Sequence, residues 1–223
     1  PSKTVITLTA VAKWLYDRFE INKVLVVAPL RVAEDTWTKE SDKWDHLCGL
    51  RVVRVLGSQA QRVSALRTEA DIYCINRENV PWLVKYYGTA WPFDGVVLDE
   101  LSSFKNSSSK RFRAMRKVRP LIKHIVGLTG TPSPNGLIDL WAQMYLLDGG
   151  ERLGRTLTEY RSRYFVPGRR SGYVVYDWVP KPGAEEEIYQ RISDICISMK
   201  ACDYLGLPER VDVVRMVKLD EKA

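Results

Sequence analysis

Between residues 4 and 19 apolar side chains recur every three or four positions: Val5, Leu8, Val11, Ala12, Leu15 and Phe19. That spacing places them on one face of a helix. The next run, KVLVVAPL at 23–30, has no polar face, and it is too short and too β-branched for a helix. It reads as a strand buried on both sides. A helical pattern follows through Trp37 and Trp44. RVVRVL (51–56) and DIYCI (71–75) read as further strands, with a helix over SQAQRVSALRTEA (58–70) between them. A helix over 79–87, the strand DGVVLD (94–99), a helix over about 108–118, the strand HIVGLTG (124–130) and the helix GLIDLWAQMYLL (136–147) complete the series.

Strands alternating with helices through short loops predict parallel crossovers, hence an α/β fold whose parallel sheet carries helices on both faces. In such sheets function gathers where strands end at their carboxyl edge. Four polar or turn-rich clusters fall there, at 29–31, 76–78, 99–100 and 129–132. The alternation stops near Gly149 and Gly150. Beyond it TLTEYRSRYF (156–165) reads as a helix, and GYVVYDW (172–178) as a strand or hairpin arm after the basic turn PGRRSG. A long amphipathic helix is expected over 184–205, with acids at its start that favour the helix dipole. RVDVVRMVKL (210–219) reads as a last strand.

Length and composition narrow the class. The chain has 223 residues, 45% hydrophobic and 27% charged, which suits a soluble globular protein with a sizeable core. No apolar run approaches the ~20 residues of a membrane span, and the first ten residues lack the pattern of a secretory signal. Four cysteines without a C-x-x-C, and two histidines, argue against structural zinc and for a reduced, cytoplasmic chain. The net charge of +7 fits a polyanionic partner without demanding one.

Candidate chemistry starts at FDGVVLDELSSFKN (93–106), where an apolar run ends in Asp99 and Glu100. Taken alone, the pair reads equally as solvated loop acids or as a phosphoryl-transfer site. In the second reading one carboxylate organises Mg²⁺ through water and its neighbour polarises an attacking water. GLTGTPSPN (127–135) shifts the balance, because Thr129 and Thr131 could hydrogen-bond the acids from the adjacent strand tip. The basic run between Lys105 and Lys123 holds eight Lys or Arg. It reads first as a solvated helix face and second as a DNA-backbone contact. Trp14, Trp37, Trp44 and Trp141 lie in helical apolar patterns and read as core or interface. His46 and His124 read as packed or surface residues.

The ordered series Ser2-Lys3-Thr4, APLRV (28–32), Trp37, INRE (75–78), LDEL (98–101) and LTGTP (128–132) resembles the DEAD/DEAH-like helicase superfamily. Within it, the pattern is similar to the SWI/SNF-type translocases, particularly compact bacteriophage versions. The resemblance covers nearly the whole chain and implies a RecA-like fold, ATP and Mg²⁺ as cofactors, double-stranded DNA as partner, and a bacterial or phage-infected cytoplasm. It implies Lys3 at the phosphate and Thr4 on the metal, with Asp99 organising the metal and Glu100 activating water. It further implies Thr129, Gly130 and Thr131 as the coupling element, and Pro29, Leu30, Arg31, Asn76 and Arg77 along one DNA strand. The chain departs from the family at its start, where Ser2 and Pro1 stand in place of phosphate-loop residues and proline has no N–H to donate. Residues 1–150 are therefore expected to form an N-terminally incomplete RecA-like ATP-binding lobe. Residues 151–223 are expected to form a helical and hairpin extension leading toward a second lobe that the chain lacks. A first motor lobe hydrolysing ATP poorly alone is the expectation; a non-catalytic DNA- or protein-binding module is the alternative.

Overall fold

A computed structural model describes residues 3–130 and 136–198. Strands β1 (Val24–Ala28), β2 (Val52–Val55), β3 (Ile72–Asn76), β4 (Gly95–Asp99) and β5 (His124–Leu128) form one sheet in the order β2-β3-β1-β4-β5. Every pairing is parallel, with Ala28 beside Asn76 and Asp99 beside Leu128. The carboxyl ends of β3, β1, β4 and β5 thus stand in a row, as the strand-end clusters require.

The unbroken apolar runs are explained by two cores. Val24, Val26, Ala28, Ile72 and Cys74 face α1 (Lys3–Ala12) and α2 (Trp37–Lys43). Leu25, Val27, Tyr73, Ile75 and Leu98 face the other way, toward α4 (Val80–Tyr87), α5 (Lys110–Val118) and α6 (Leu140–Asp148). Helix α3 (Gln59–Arg67) adds Leu66 to that second core. It starts in a capping box, in which the Ser58 hydroxyl accepts from the Gln61 amide and the Gln61 side chain accepts from the Ser58 amide. Acids just before two strands close the opposite edge. Asp94 accepts from the backbone amides of Asn22 and Lys23 at 2.8 and 3.1 Å, and Asp71 accepts from the Arg51 amide and guanidinium at 2.8–3.1 Å.

After α6, helix α7 (Leu157–Tyr164) leads into a hairpin of β6 (Phe165–Pro167) with β9 (Trp178–Pro180) and, nearer the tip, β7 (Arg170–Ser171) with β8 (Val174–Val175). Helix α8 (Ala184–Ile192) follows. Tyr160, Tyr164, Ile188 and Ile192 join the core built around α6.

Three expectations are corrected. Phe19 is 80% exposed, because α1 gives way at Lys13–Asp17 to a wide π-helical turn and the chain leaves it with a left-handed φ of 53° at Phe19. Trp44 is 39% exposed; it follows the last residue of α2, and its indole donates to Glu40 at 3.0 Å. The helix expected over 184–205 stops at Ile192, where the chain turns so that Asp194 meets the Arg152 guanidinium at 2.6 Å and Cys196 meets Met144. The strand expected at 210–219 lies outside the described residues.

Candidate active site

Asp99 is the last residue of β4, and the chain then turns sharply, because Glu100 takes a left-handed conformation with φ 63° and ψ 63°. A non-glycine residue there costs of order 1–3 kcal/mol and persists only where its surroundings hold it. Glu100 is held twice. Ser102 donates its hydroxyl to Glu100 Oε1, and Thr129 Oγ1 donates to the same oxygen at 3.0 Å from beyond the end of β5. The bond expected between the LTGTP turn and the acidic pair is therefore present.

Lys3 opens α1, and its ammonium donates to the Thr129 carbonyl at 2.6 Å. The same turn thus holds a cation on its carbonyl and a carboxylate on its hydroxyl. Thr4 follows in the first turn of α1 and is buried. Gly127, two residues before Thr129, lets β5 approach this corner closely: a Cβ there would stand 2.5 Å from Leu101 Cδ2.

Asp99 has a partner that the sequence did not suggest. The indole N–H of Trp37, a fully buried residue, donates to Asp99 Oδ2 at 3.0 Å. Burial pushes the Asp99 carboxyl above the usual range; the indole opposes this, the Glu100 charge adds to it, and the Lys3 charge opposes it. Trp37 is core, as its periodicity suggests, but its polar edge faces the acid. The missed signal was local: the tryptophan follows APLRV by a few residues, on the segment leaving the strand beside β4.

The residues expected along DNA lie at the ends of β1 and β3, next to this corner. Pro29 is half-buried, with its carbonyl accepting from the Val32 and Ala33 amides, and Leu30 and Arg31 are exposed. Asn76 is 8% exposed, its amide donating to Glu78 and accepting from Asn79. Arg77 is drawn onto Glu78 at 2.9 Å. Arg31 therefore presents its charge outward, whereas Asn76 and Arg77 are engaged within their own turn. Gly130 ends the described part of the LTGTP turn; Thr131 and Pro132 lie outside the described residues.

The basic run divides its charges. Lys105 pairs with Asp139 and Lys123 with Asp94, both at 3.4 Å, while Arg116 stacks on Tyr145. Arg119 donates to the carbonyls of Ile122 and Leu147. Half of these cations serve the lobe's own packing, and Phe112, Ala114, Met115 and Val118 turn the opposite face of α5 inward. His46 meets Thr9, and His124 stacks on Trp14 and pairs with Glu20 at 2.8 Å.

Known proteins resemble this chain over most of its length. A family model described as SNF2-related domain matches residues 2–222. Protein p41 of Acyrthosiphon pisum secondary endosymbiont phage 1 is 40% identical over 227 residues, covering 99% of this chain and 49% of that protein. The DNA excision repair protein ERCC-6-like of Mus musculus is 29% identical over 170 residues, covering 73% of this chain and 13% of its own. The Sulfolobus solfataricus SWI2/SNF2 ATPase core in complex with dsDNA superposes with a TM-score of 0.65 at 25% identity, covering 86% of this chain and 36% of that one. The chain thus spans about half the length of its phage relative and less of the others. The sheet is the RecA-like α/β fold of that ATPase core, and by fold and by a match over almost its entire length the chain belongs to the SNF2-related, SWI/SNF-type helicase-like family.

Proposed function

We propose that this chain is the first motor lobe of an ATP-dependent double-stranded DNA translocase, with its nucleotide half-site at the ends of β4 and β5. The observation that carries the reading is the Thr129 turn. It gathers Lys3 and Glu100, 97 positions apart in the chain, at the tip of the strand next to Asp99. Hard oxygen donors beside a lysine suit a magnesium nucleotide, since Mg²⁺ is held by one or two carboxylates together with waters and phosphate oxygens. Asp99 would hold the ion, with Thr4 as a further oxygen donor, and Lys3 would meet the phosphates. When bound, the ion supplies charge neutralisation on the transferred phosphoryl group.

The chain's own groups do the rest. Glu100, pinned by Thr129 and Ser102 in a conformation that projects it off the strand, orients the attacking water. Thr129 and Gly130, continuing into Thr131, form the link between nucleotide and track. Pro29, Leu30 and Arg31 lie along one DNA strand by backbone and phosphate contacts that hold position without reading sequence; Asn76 and Arg77, engaged by Glu78 in the turn after β3, would join them only on letting go of that partner. A second RecA-like lobe closes over the nucleotide, and residues 151–223 connect to it in the sequence. An arginine from such a lobe is worth roughly 10³–10⁵ in rate, so the chain alone turns over ATP poorly.

Fluorescence anisotropy with labelled duplexes tests the DNA face. Binding independent of sequence is expected, with Arg31→Glu lowering affinity for every duplex alike and reducing the salt slope by about one. An Arg31→Glu protein that binds duplex as tightly as wild type would remove this surface from the reading.

A further inference from the structure

Trp37 joins the two halves of the site. Its indole donates to one oxygen of Asp99, Oδ2, at 3.0 Å, and the Glu100 backbone amide also donates to that carboxylate, so the group is oriented from two sides. A buried indole N–H needs an acceptor, and one that is ionised makes the stronger bond. Trp37 reaches Asp99 from the helical segment that follows β1. The chain is helical from residue 30 to residue 43, passing through a wide π-helical turn at Val32–Thr36. Such turns collect at functional sites.

This segment is anchored along its length. The Pro29 carbonyl accepts from the Val32 and Ala33 amides, both at 2.9 Å, and Arg54 donates to the Glu34 carbonyl at 3.0 Å. Ala33 and Trp37 are 1% and 0% exposed in the same apolar cluster as Ala28, the last residue of β1. One continuous helical segment therefore begins at residues 29–31 and, seven residues on, delivers Trp37 to the carboxylate at the tip of the neighbouring strand.

We infer that Trp37 is a positioning residue whose indole N–H sets the Asp99 carboxylate for the metal and ties it to residues 29–31, so that bound duplex changes the affinity for magnesium nucleotide. The inference rests on the proposed roles of Asp99 and of residues 29–31. Linkage makes the effect reciprocal, so magnesium nucleotide changes duplex affinity by the same factor.

The test is calorimetric Mg-ATP binding with and without saturating duplex DNA. It compares wild type, Trp37→Phe and a protein carrying 3-benzothienylalanine at position 37, an isostere with sulfur in place of the N–H. In wild type, duplex is expected to change Mg-ATP affinity about fivefold or more. In both variants the factor falls toward one, while duplex binding without nucleotide stays as in wild type. A tryptophan serving packing alone would lower the melting temperature of the Phe variant and leave the factor intact in the isostere. The inference is overturned by an isostere that keeps the full factor, or by a wild type that shows none. Asp99→Asn, run alongside, separates the two levels. If it leaves Mg-ATP affinity unchanged, the assignment of Asp99 has failed. If it weakens binding while the isostere behaves as wild type, only the role of Trp37 has failed.

Discussion

Single residues set the two edges of the sheet in opposite ways. At the amino edge, acids are stabilised by folding. Burial alone would raise the Asp71 pKa, but hydrogen bonds from the Arg51 side chain and backbone outweigh it and hold the carboxyl below its usual range. A carboxyl whose folded pKa is depressed stabilises the fold above its unfolded value of about 3.9, and that contribution is lost as pH falls through the folded value. Asp71→Asn is therefore expected to cost about 2 kcal/mol at neutral pH, a gap that closes in denaturant titrations repeated below about pH 4. A gap that stayed constant with pH would show that the charge is not what matters. At the carboxyl edge, crowding takes over. Gly127→Ala would press on Leu101, which is 2% exposed and follows Glu100 directly. The expected result is about 1–3 kcal/mol of lost stability with weakened Mg-ATP binding, read by thermal melts and titration.

The contact between the acidic pair and the Thr129 turn was legible because the two clusters fall at the tips of neighbouring strands, although either taken alone reads as well as an ordinary loop. The Trp37 bond was not, since a tryptophan in a helical apolar pattern looks the same whether or not its N–H finds a carboxylate. Nor was the inward turn of Asn76, which depends on Glu78 and Asn79 closing around it.

At the scale of elements, the alternation of strands and helices was readable, most plainly at β1, β3 and β4, which are buried on both faces, while half-buried β2 and β5 were marked by their β-branched runs. Helix ends were less so. The π-helical turns at Lys13–Asp17 and Val32–Thr36 shift the apolar face by one residue, which is why Phe19 emerges into solvent. The last helix ends where the Arg152–Asp194 pair draws the chain away, a tertiary contact that periodicity does not record. Where caps are local, they are predictive. Ser58→Ala is expected to cost about 1 kcal/mol through the lost capping box, visible as a lower denaturation midpoint. Helix α5 is held by its apolar side, so Phe112→Ala is expected to cost about 3–5 kcal/mol. Arg113→Glu, on the exposed side, should leave the midpoint near wild type. If Arg113→Glu instead weakens duplex binding as strongly as Arg31→Glu, α5 belongs to the DNA face.

For the whole molecule, the two-sided core explains how a five-stranded sheet can carry reactive groups along one edge. The helices fix the strands, and the strands fix the row of tips. The proposed function makes this lobe one half of a motor. ATP turnover by this chain with duplex DNA is accordingly expected to lie close to that of Glu100→Gln. The most direct measurement is a calorimetric titration of the chain with Mg-ATP beside an Asp99→Ala, Glu100→Gln double variant. Saturable binding is expected, lost in the double variant while it remains folded. No binding by the folded wild-type chain, or equal binding by both proteins, would contradict a nucleotide half-site at the tips of β4 and β5, and would leave the lobe as a binding module.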